Sequence, residues 1–160
     1  MKAMITVVKD DKMWEKIKKD LLAANKVGEL EVGFFEESKY GPENENLQVA
    51  QVAQWNNEGQ PANKVPPRPF FTSTLVAPIE AKKRDKLFFQ SIDRIVAGKS
   101  SFLKEYNMIG GLFVNELKKA IEDWSTPPNA PSTIEEKGFN DPLIKTETMK
   151  NSVEYKIGGR

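Results

Sequence analysis

The sequence of 160 residues contains no cysteine and no histidine. Without cysteine the chain forms no disulfide, has no thiolate nucleophile and offers no sulfur ligand to zinc. Without histidine it has no imidazole for a Ser-His-Asp relay or for metal binding. A carboxylate site for a hard cation remains possible, but the acidic residues show no EF-hand-like spacing. We therefore expect a protein that is not an enzyme and that uses no cofactor and no metal.

Long apolar runs and a strong net charge are also missing. No window approaches the roughly 18–20 apolar residues of a membrane-spanning helix, and the segment MKAMITVVKDD is not typical of a signal peptide. The net charge of +1 predicts no general attraction to DNA or to an anionic membrane. The hydrophobic share of 39% and the charged share of 29% are typical of one globular domain made in the cytoplasm, without membrane contact.

The charges that are present are unevenly distributed. Residues 29–59 hold seven glutamates against one lysine, a net of −6, whereas residues 1–28 hold seven lysines against four acids, a net of +3. A second basic cluster consists of Lys82, Lys83, Arg84 and Lys86. Such segments are either solvated faces or docking surfaces. The basic cluster also leaves a nucleic-acid-binding module as an alternative function.

The apolar periodicity predicts an α+β fold in one domain covering residues 1–160. Apolar residues at intervals of three or four predict helices, which are expected at 11–27, 47–57, 72–77, 78–97 and 101–124. Alternating apolar and polar residues predict strands, which are expected at 4–8, 29–35 and 152–157. We expect a small antiparallel sheet of these N-terminal, middle and C-terminal strands, packed against the helices.

Two details of the long helices carry further expectations. In the helix at 78–97, Phe88, Ile92, Ile95 and Val96 are predicted to form the apolar face. In the next helix, Gly110 and Gly111 lower helix propensity by about 1 kcal/mol each. A closely approaching helix or subunit is expected to explain why these glycines are tolerated.

Two long proline-rich loops complete the predicted architecture: an extended loop at 58–69 and a longer loop at 125–147. Pro66, Pro67 and Pro69 fix the backbone φ angle on either side of Arg68, which favours a stiff, extended path. This path is either a rigid connector within the chain or an arm that reaches another subunit. Arg68 is correspondingly predicted to pair with an acidic residue, either in its own chain or across an interface.

The order of short motifs in these two segments resembles the tail-completion or neck proteins of tailed bacteriophages, including Mu-like virion morphogenesis proteins. The resemblance covers residues 47–157 and departs at Glu147, where relatives commonly have glycine. The motifs that carry it are Asn57-Glu58-Gly59, Pro66 to Phe70, Pro127 to Thr133, Lys137-Gly138, and Pro142-Leu143 with Thr146.

The resemblance implies a structural virion protein of the neck, located where head and tail join. It implies a homo-oligomeric ring, expected to be a hexamer, through which DNA passes as cargo. The implied partners are head-side connector or adaptor proteins on one side and tail tube or terminator proteins on the other. A tail-terminator or another tail ring protein is the alternative. The acidic segment at 29–59 is expected either to line the DNA passage or to dock a basic ring.

The residues expected at the interface between subunits or rings belong to the two proline-rich segments. Arg68→Ala is accordingly expected to leave the monomer folded and to weaken incorporation into particles. The expected interface residues are Pro66, Pro67, Arg68, Pro69, Phe70, Pro127, Pro128, Asn129, Pro131, Lys137, Pro142 and Leu143.

Overall fold

The computed structural model describes residues 11–76 and 78–158, without the side chains of residues 21, 23–26 and 78–81. The described chain has an α+β fold, as predicted, and the strand expected at 4–8 lies outside the described residues. Its main elements are α1 (Asp11–Val27), β1 (Glu29–Gly33), α2 (Val49–Glu58), α3 (Pro78–Val96), α4 (Phe102–Glu122), α5 (Pro131–Lys137), α6 (Thr148–Asn151) and β2 (Glu154–Gly158). Short helical turns lie at Pro42–Asn44, Pro61–Asn63 and Thr72–Val76.

Local sequence signals explain where several helices begin and end. Asp11 places a negative charge in the first turn of α1, where it interacts favourably with the helix dipole. Ser101 caps α4, because its hydroxyl accepts a hydrogen bond from the Lys104 backbone N–H at 3.4 Å. Helix α5 has Pro131 in its first turn and ends at Gly138, whose φ of +78° is left-handed. The long loop expected at 125–147 thus contains a helix.

The two strands form an antiparallel ribbon although they lie far apart in the sequence. Glu29 pairs with Gly158, and Val32 pairs with Tyr155. The ribbon lies on α4 at Gly110, where a Cβ atom would come within 2.6 Å of the Tyr155 ring. The expectation of a helix or a subunit at this glycine is therefore wrong, since a strand side chain makes the close approach. Nothing lies within 4 Å of the corresponding position at Gly111.

The buried core joins both proline-rich segments to α2, α4 and α6. Phe70 comes from the first segment and Leu143 from the second. The other members of this cluster are Val49, Ala53, Leu117, Ile121, Met149 and Val153. The second segment is therefore part of the folded monomer, in which Leu143 is buried and Phe139 stays exposed.

Helix α3 does not contribute the expected apolar face to this core. Ile95 is buried, but Phe88, Ile92 and Val96 are all exposed. The physical reason is its position: α3 packs against the turn at Thr72–Val76, α1 and α4, whereas the core lies around α2 and α6. The helix was predicted correctly, but the burial of most of its apolar side chains was not.

Candidate assembly surface

The two proline-rich segments meet at the C-terminal end of α2. Gly59 follows this helix with φ +80° and ψ 165°, which is a positive-φ extended conformation. A Cβ atom on Gly59 would come within 2.8 Å of the Pro67 nitrogen. The chain can therefore fold back along α2 only with glycine at this position. The return is fixed by the Arg68 backbone N–H, which donates to the Asn56 carbonyl at 2.7 Å.

The Arg68 side chain links this return to the second proline-rich segment. Its Nε donates to the carbonyl of Pro127 at 3.1 Å, and its Nη2 donates to the carbonyl of Pro128 at 3.3 Å. Its Nη1 contacts the Asn56 side-chain oxygen at 3.5 Å. Arg68 is 6% exposed. We call this arrangement of Asn56, Arg68, Pro127 and Pro128 the arginine clamp.

The clamp answers the question that the sequence left open about Arg68. Its hydrogen-bond partners are backbone carbonyls and an amide of its own chain, so the expectation of an acidic partner within the chain is wrong. Burial lowers the pKa of the guanidinium from its usual value, because desolvation disfavours the charged form. Such a group is buried favourably only when its N–H donors are hydrogen-bonded. The clamp is therefore an internal support of the fold.

The remaining residues of the expected interface divide into buried and exposed groups. Phe70, Asn129, Pro142 and Leu143 are buried inside their own chain together with Arg68. Exposed positions are Pro67, Pro69, Pro128 and Pro131, while Pro66, Pro127 and Lys137 are half-buried. The interface between subunits or rings stays a prediction. In this conformation only its exposed and half-buried residues are accessible to another subunit.

Two polar side chains of the second segment lie next to the clamp. Lys137 donates to the Asp141 carbonyl at 2.6 Å, and its ammonium lies 4.9 Å from the centre of the Phe139 ring. Desolvation lowers the pKa of Lys137; Asp141 opposes this shift, and the positive charge of Arg68 adds to it. The backbone N–H of Asn129 donates a hydrogen bond to Oδ1 of Asn140 at 3.0 Å. These contacts hold the second segment in one conformation.

Most of the exposed apolar surface lies elsewhere, on α1, α3 and α4. Phe89 of α3 is 68% exposed, and Trp14 and Leu22 of α1 are each 61% exposed. On α3 the exposed apolar side chains recur along the helix, and we call this set the α3 ridge: Phe88, Phe89, Ile92 and Val96. Scattered apolar residues are normal on a surface, whereas a contiguous set is typical of a contact with another macromolecule. The sequence contained this signal, because Phe88-Phe89 is an adjacent aromatic pair on a helix otherwise rich in charge.

An ion pair between the partly exposed Arg94 and the buried Glu105 holds α3 against α4. Arg94 donates through Nε to Glu105 Oε1 at 3.0 Å and through Nη2 to Oε2 at 2.5 Å. Glu105 is buried, and the hydrogen bonds from Arg94 lower its pKa to about 2 despite the opposing effect of desolvation. Nη2 of Arg94 also donates to the Ser91 hydroxyl at 3.1 Å. This two-point contact fixes the orientation of α3 and thereby the direction in which its ridge faces.

Comparison with protein-family models, with curated proteins and with solved structures found no match to the chain. Across residues 11–76 and 78–158, no helix is both long and apolar enough to cross a lipid bilayer. Among the same residues, no group of three or more acidic side chains is arranged to hold a metal ion.

Proposed function

We propose that the chain is a non-enzymatic structural protein of a tailed-bacteriophage neck, where copies form a ring that joins head and tail and lets DNA pass. The motifs in the two proline-rich segments supply the phage assignment. The observation that carries the assembly role is the α3 ridge, an exposed aromatic and aliphatic surface that lies outside the buried core formed by the described residues. A protein that works by assembling with copies of itself requires such a surface.

The composition of the ridge supports a contact between proteins. Aromatic side chains are enriched at the centres of protein interfaces, where charged residues are depleted. Phe88 and Phe89 provide two such rings on successive residues, and Ile92 and Val96 extend the apolar surface by two turns. A DNA-binding surface would instead present cations along its length. In the basic cluster Arg84 donates to the Leu75 carbonyl, so part of its hydrogen-bonding capacity is used within the chain.

The acidic segment adds a second surface to the proposal. All seven glutamates between residues 29 and 59 are exposed, although Glu37 forms an ion pair with Lys156 at 2.6 Å. Weak repulsion from such a surface would keep DNA from adhering to a passage, and the same charge would attract a basic neighbouring ring. Both uses agree with a neck position. Reversing two of these charges and measuring DNA retention and particle joining separately would distinguish them.

Self-association provides the first test of the assembly role. Phe89→Ser is expected to weaken assembly about 10- to 100-fold, since burying a phenylalanine contributes about 1.5–3 kcal/mol. The stability of the monomer should hardly change, because Phe89 is already exposed. Gln90→Ser is the matched control, as it makes the same change at the next, exposed position of α3. Native mass spectrometry over a concentration series measures both variants.

The virion assignment needs its own experiment. Quantitative mass spectrometry of purified particles should find the chain at a fixed, small copy number that matches one ring per particle. Electron microscopy should locate it where head and tail join. Particles that lack the chain would refute the virion role, and a location at the far end of the tail would support the terminator alternative.

A further inference from the structure

An open groove lies between residues 31–35 and helix α2, and we call it the β1–α2 groove. It has a volume of about 450 Å³ and is mainly apolar, since Val32, Phe34 and Phe71 are among the residues that line it. Phe34 packs edge to face on the buried Phe70, with 6.3 Å between the ring centres. A cavity of about 150 Å³ is large enough for one benzene ring. The groove therefore has room for an aromatic side chain and a second apolar side chain from a partner.

The rim of the β1–α2 groove is acidic. Glu31 and Glu58 line it, and both are exposed. Gln54, also exposed, donates to the Glu58 carboxylate at 3.3 Å. Among the described residues that line the groove there is no lysine or arginine. A partner that fits this groove therefore combines apolar side chains with positive charge.

The α3 ridge supplies the apolar side chains. Its most exposed members are Phe89, Ile92 and Val96, at 68%, 48% and 40%. They occupy positions i, i+3 and i+7 of one helix, and a helix that binds in an apolar groove presents its anchors at this spacing. Phe89 is the largest of the three, and a ring in this position can extend the aromatic contacts of the groove.

Helix α3 also supplies the positive charge. From residue 82 to residue 93 it holds four cations against Asp85 and Asp93, a net of +2. All four cations lie at 82–86, just before the ridge, and Lys82 and Lys86 are exposed. The charges of the ridge and of the groove rim are therefore complementary.

We propose that the α3 ridge of one copy of this chain docks into the β1–α2 groove of the next copy. This inference rests on the proposed ring function and names the contact that builds the ring. Phe89 enters the groove as its aromatic anchor, and the cations before the ridge lie against Glu31 and Glu58. Because the two surfaces differ, each subunit offers its ridge to one neighbour and its groove to the other. Such a heterologous contact closes into a ring when the rotation allows it.

The fold keeps the ridge out of the groove of its own chain. Arg94 holds α3 on α4 through both carboxylate oxygens of Glu105, and none of the four ridge residues lines the groove. A contact between two ridges would pair surfaces of the same net charge and would leave both acidic grooves unoccupied. The arginine clamp is separate from this contact, because none of its four residues lines the groove.

Cross-linking between engineered cysteines tests the contact, and the native chain has no cysteine to interfere. Asp93→Cys lies on the same side of α3 as Phe89, four residues further on, and Gln54→Cys lies in the groove; both positions are exposed. The two full-length single variants are mixed and treated with a short bismaleimide, and mass spectrometry identifies the joined peptides. We expect a cross-link between position 93 of one chain and position 54 of another.

Gln51→Cys is the matched control, because Gln51 is an exposed glutamine of the same helix that does not line the groove. It should cross-link to position 93 much less than Gln54→Cys does. Equal yields at positions 51 and 54, or no cross-link at all, would overturn the proposal. A dominant cross-link between two copies of position 93 would overturn it in favour of a contact between two ridges.

Charge reversal tests the acidic rim. Glu58→Lys should weaken self-association about 2- to 30-fold at low salt, because it replaces an attraction between exposed charges with a repulsion. The effect should shrink as salt screens these charges. Glu36→Lys makes the same change at an exposed position of the acidic segment that does not line the groove. Analytical ultracentrifugation at several salt concentrations compares the two variants, and equal effects would overturn the docking of the ridge at this rim.

The ring contact and the virion role can fail separately. If purified particles contain the chain but positions 93 and 54 do not cross-link, the docking of the ridge in the groove is refuted and the virion role stands. If these positions cross-link in a chain that is absent from particles, the virion role is refuted and the contact stands.

Discussion

Replacing Arg68 with alanine tests whether the arginine clamp supports the fold of the monomer. The substitution removes the donors that hold the carbonyls of Pro127 and Pro128 against the end of α2. Proline has no backbone N–H, so this dipeptide has carbonyl groups to satisfy and no donors of its own. The second proline-rich segment, which contributes Leu143 to the core, would then lose its attachment to the first.

The expected loss follows from the hydrogen bonds that disappear. A hydrogen bond to a charged group contributes about 1.5–3 kcal/mol, and Arg68 makes one at 3.1 Å, one at 3.3 Å and a longer one of 3.5 Å to Asn56. The three do not simply add, because removing the guanidinium also removes its desolvation penalty. We expect the free energy of unfolding to fall by about 2–4 kcal/mol. For a chain of this length the midpoint of thermal unfolding would fall by about 4–15 °C.

Thermal and urea unfolding followed by circular dichroism measure this change. Arg68→Lys should recover only a small part of it, because one ammonium cannot bind both proline carbonyls and Asn56 in the planar geometry of the guanidinium. Lys104→Ala, at an exposed position of α4, is the control for loss of a cation. An Arg68→Ala variant that unfolds within about 2 °C of the parent protein would refute the clamp. The protein should still be folded at room temperature, since domain stabilities are typically about 5–15 kcal/mol.

Two further predictions concern the contacts of α4. The pKa of Glu105 is lowered to about 2 by Arg94, so this pair contributes stability that is fully present above the ordinary value of 4.5 and is lost as the pH falls towards 2. Because Arg94 is partly exposed, we expect the free energy of unfolding to fall by about 1–2 kcal/mol over this pH range. Urea unfolding should therefore show a steeper loss of stability below about pH 5 for the parent protein than for Glu105→Gln. Gly110→Ala should lower the free energy of unfolding by about 1–3 kcal/mol, because the added Cβ atom clashes with Tyr155. Gly111→Ala has open space around the added atom and should raise the free energy of unfolding by up to about 1 kcal/mol. A destabilised Gly111→Ala variant would contradict this reasoning.

Local signals in the sequence predicted the four longest helices and both described strands, because these elements depend mainly on neighbouring residues, but they did not predict α5 or α6. The alternation at 29–35 and 152–157 predicted both described strands, which the structure places at Glu29–Gly33 and Glu154–Gly158. The Ser101 cap and the glycine after α1 set helix boundaries that are close to those observed. The pairing of β1 with β2 was predicted only as part of a small antiparallel sheet, since register between such distant segments depends on tertiary packing.

The burial of α3 could not be predicted in the same way. Its apolar periodicity indicates that one face is covered, but a pattern cannot show whether the cover is the same chain or another one. Phe88 and Ile92 belong to the predicted apolar face, yet both are exposed in the monomer. The side of α3 that carries Ser91 and Arg94 is the one that contacts α4. This contact depends on the buried carboxylate of Glu105, and the spacing of apolar residues cannot predict a contact made by charged residues.

The partners of Arg68 were missed for a different reason. Charge pairing suggested an acidic partner, whereas the structure supplies backbone carbonyls, which every residue type carries. A signal was nonetheless present: one segment offers an arginine between prolines, and the other offers consecutive prolines whose carbonyls lack neighbouring N–H donors.

The structure separates a region that stabilises the monomer from a region that is available for assembly, and this separation can be tested by combining variants. The clamp and the core lie around α2 and α6, whereas the ridge lies on α3. Arg68→Ala should therefore lower stability without weakening association at temperatures where the monomer is folded, and Phe89→Ser should do the reverse. The double variant should show the sum of both effects, because distant sites are usually additive. If the proline-rich segments themselves form the main contact, Arg68→Ala will weaken association as strongly as Phe89→Ser, and the two effects on assembly will not add.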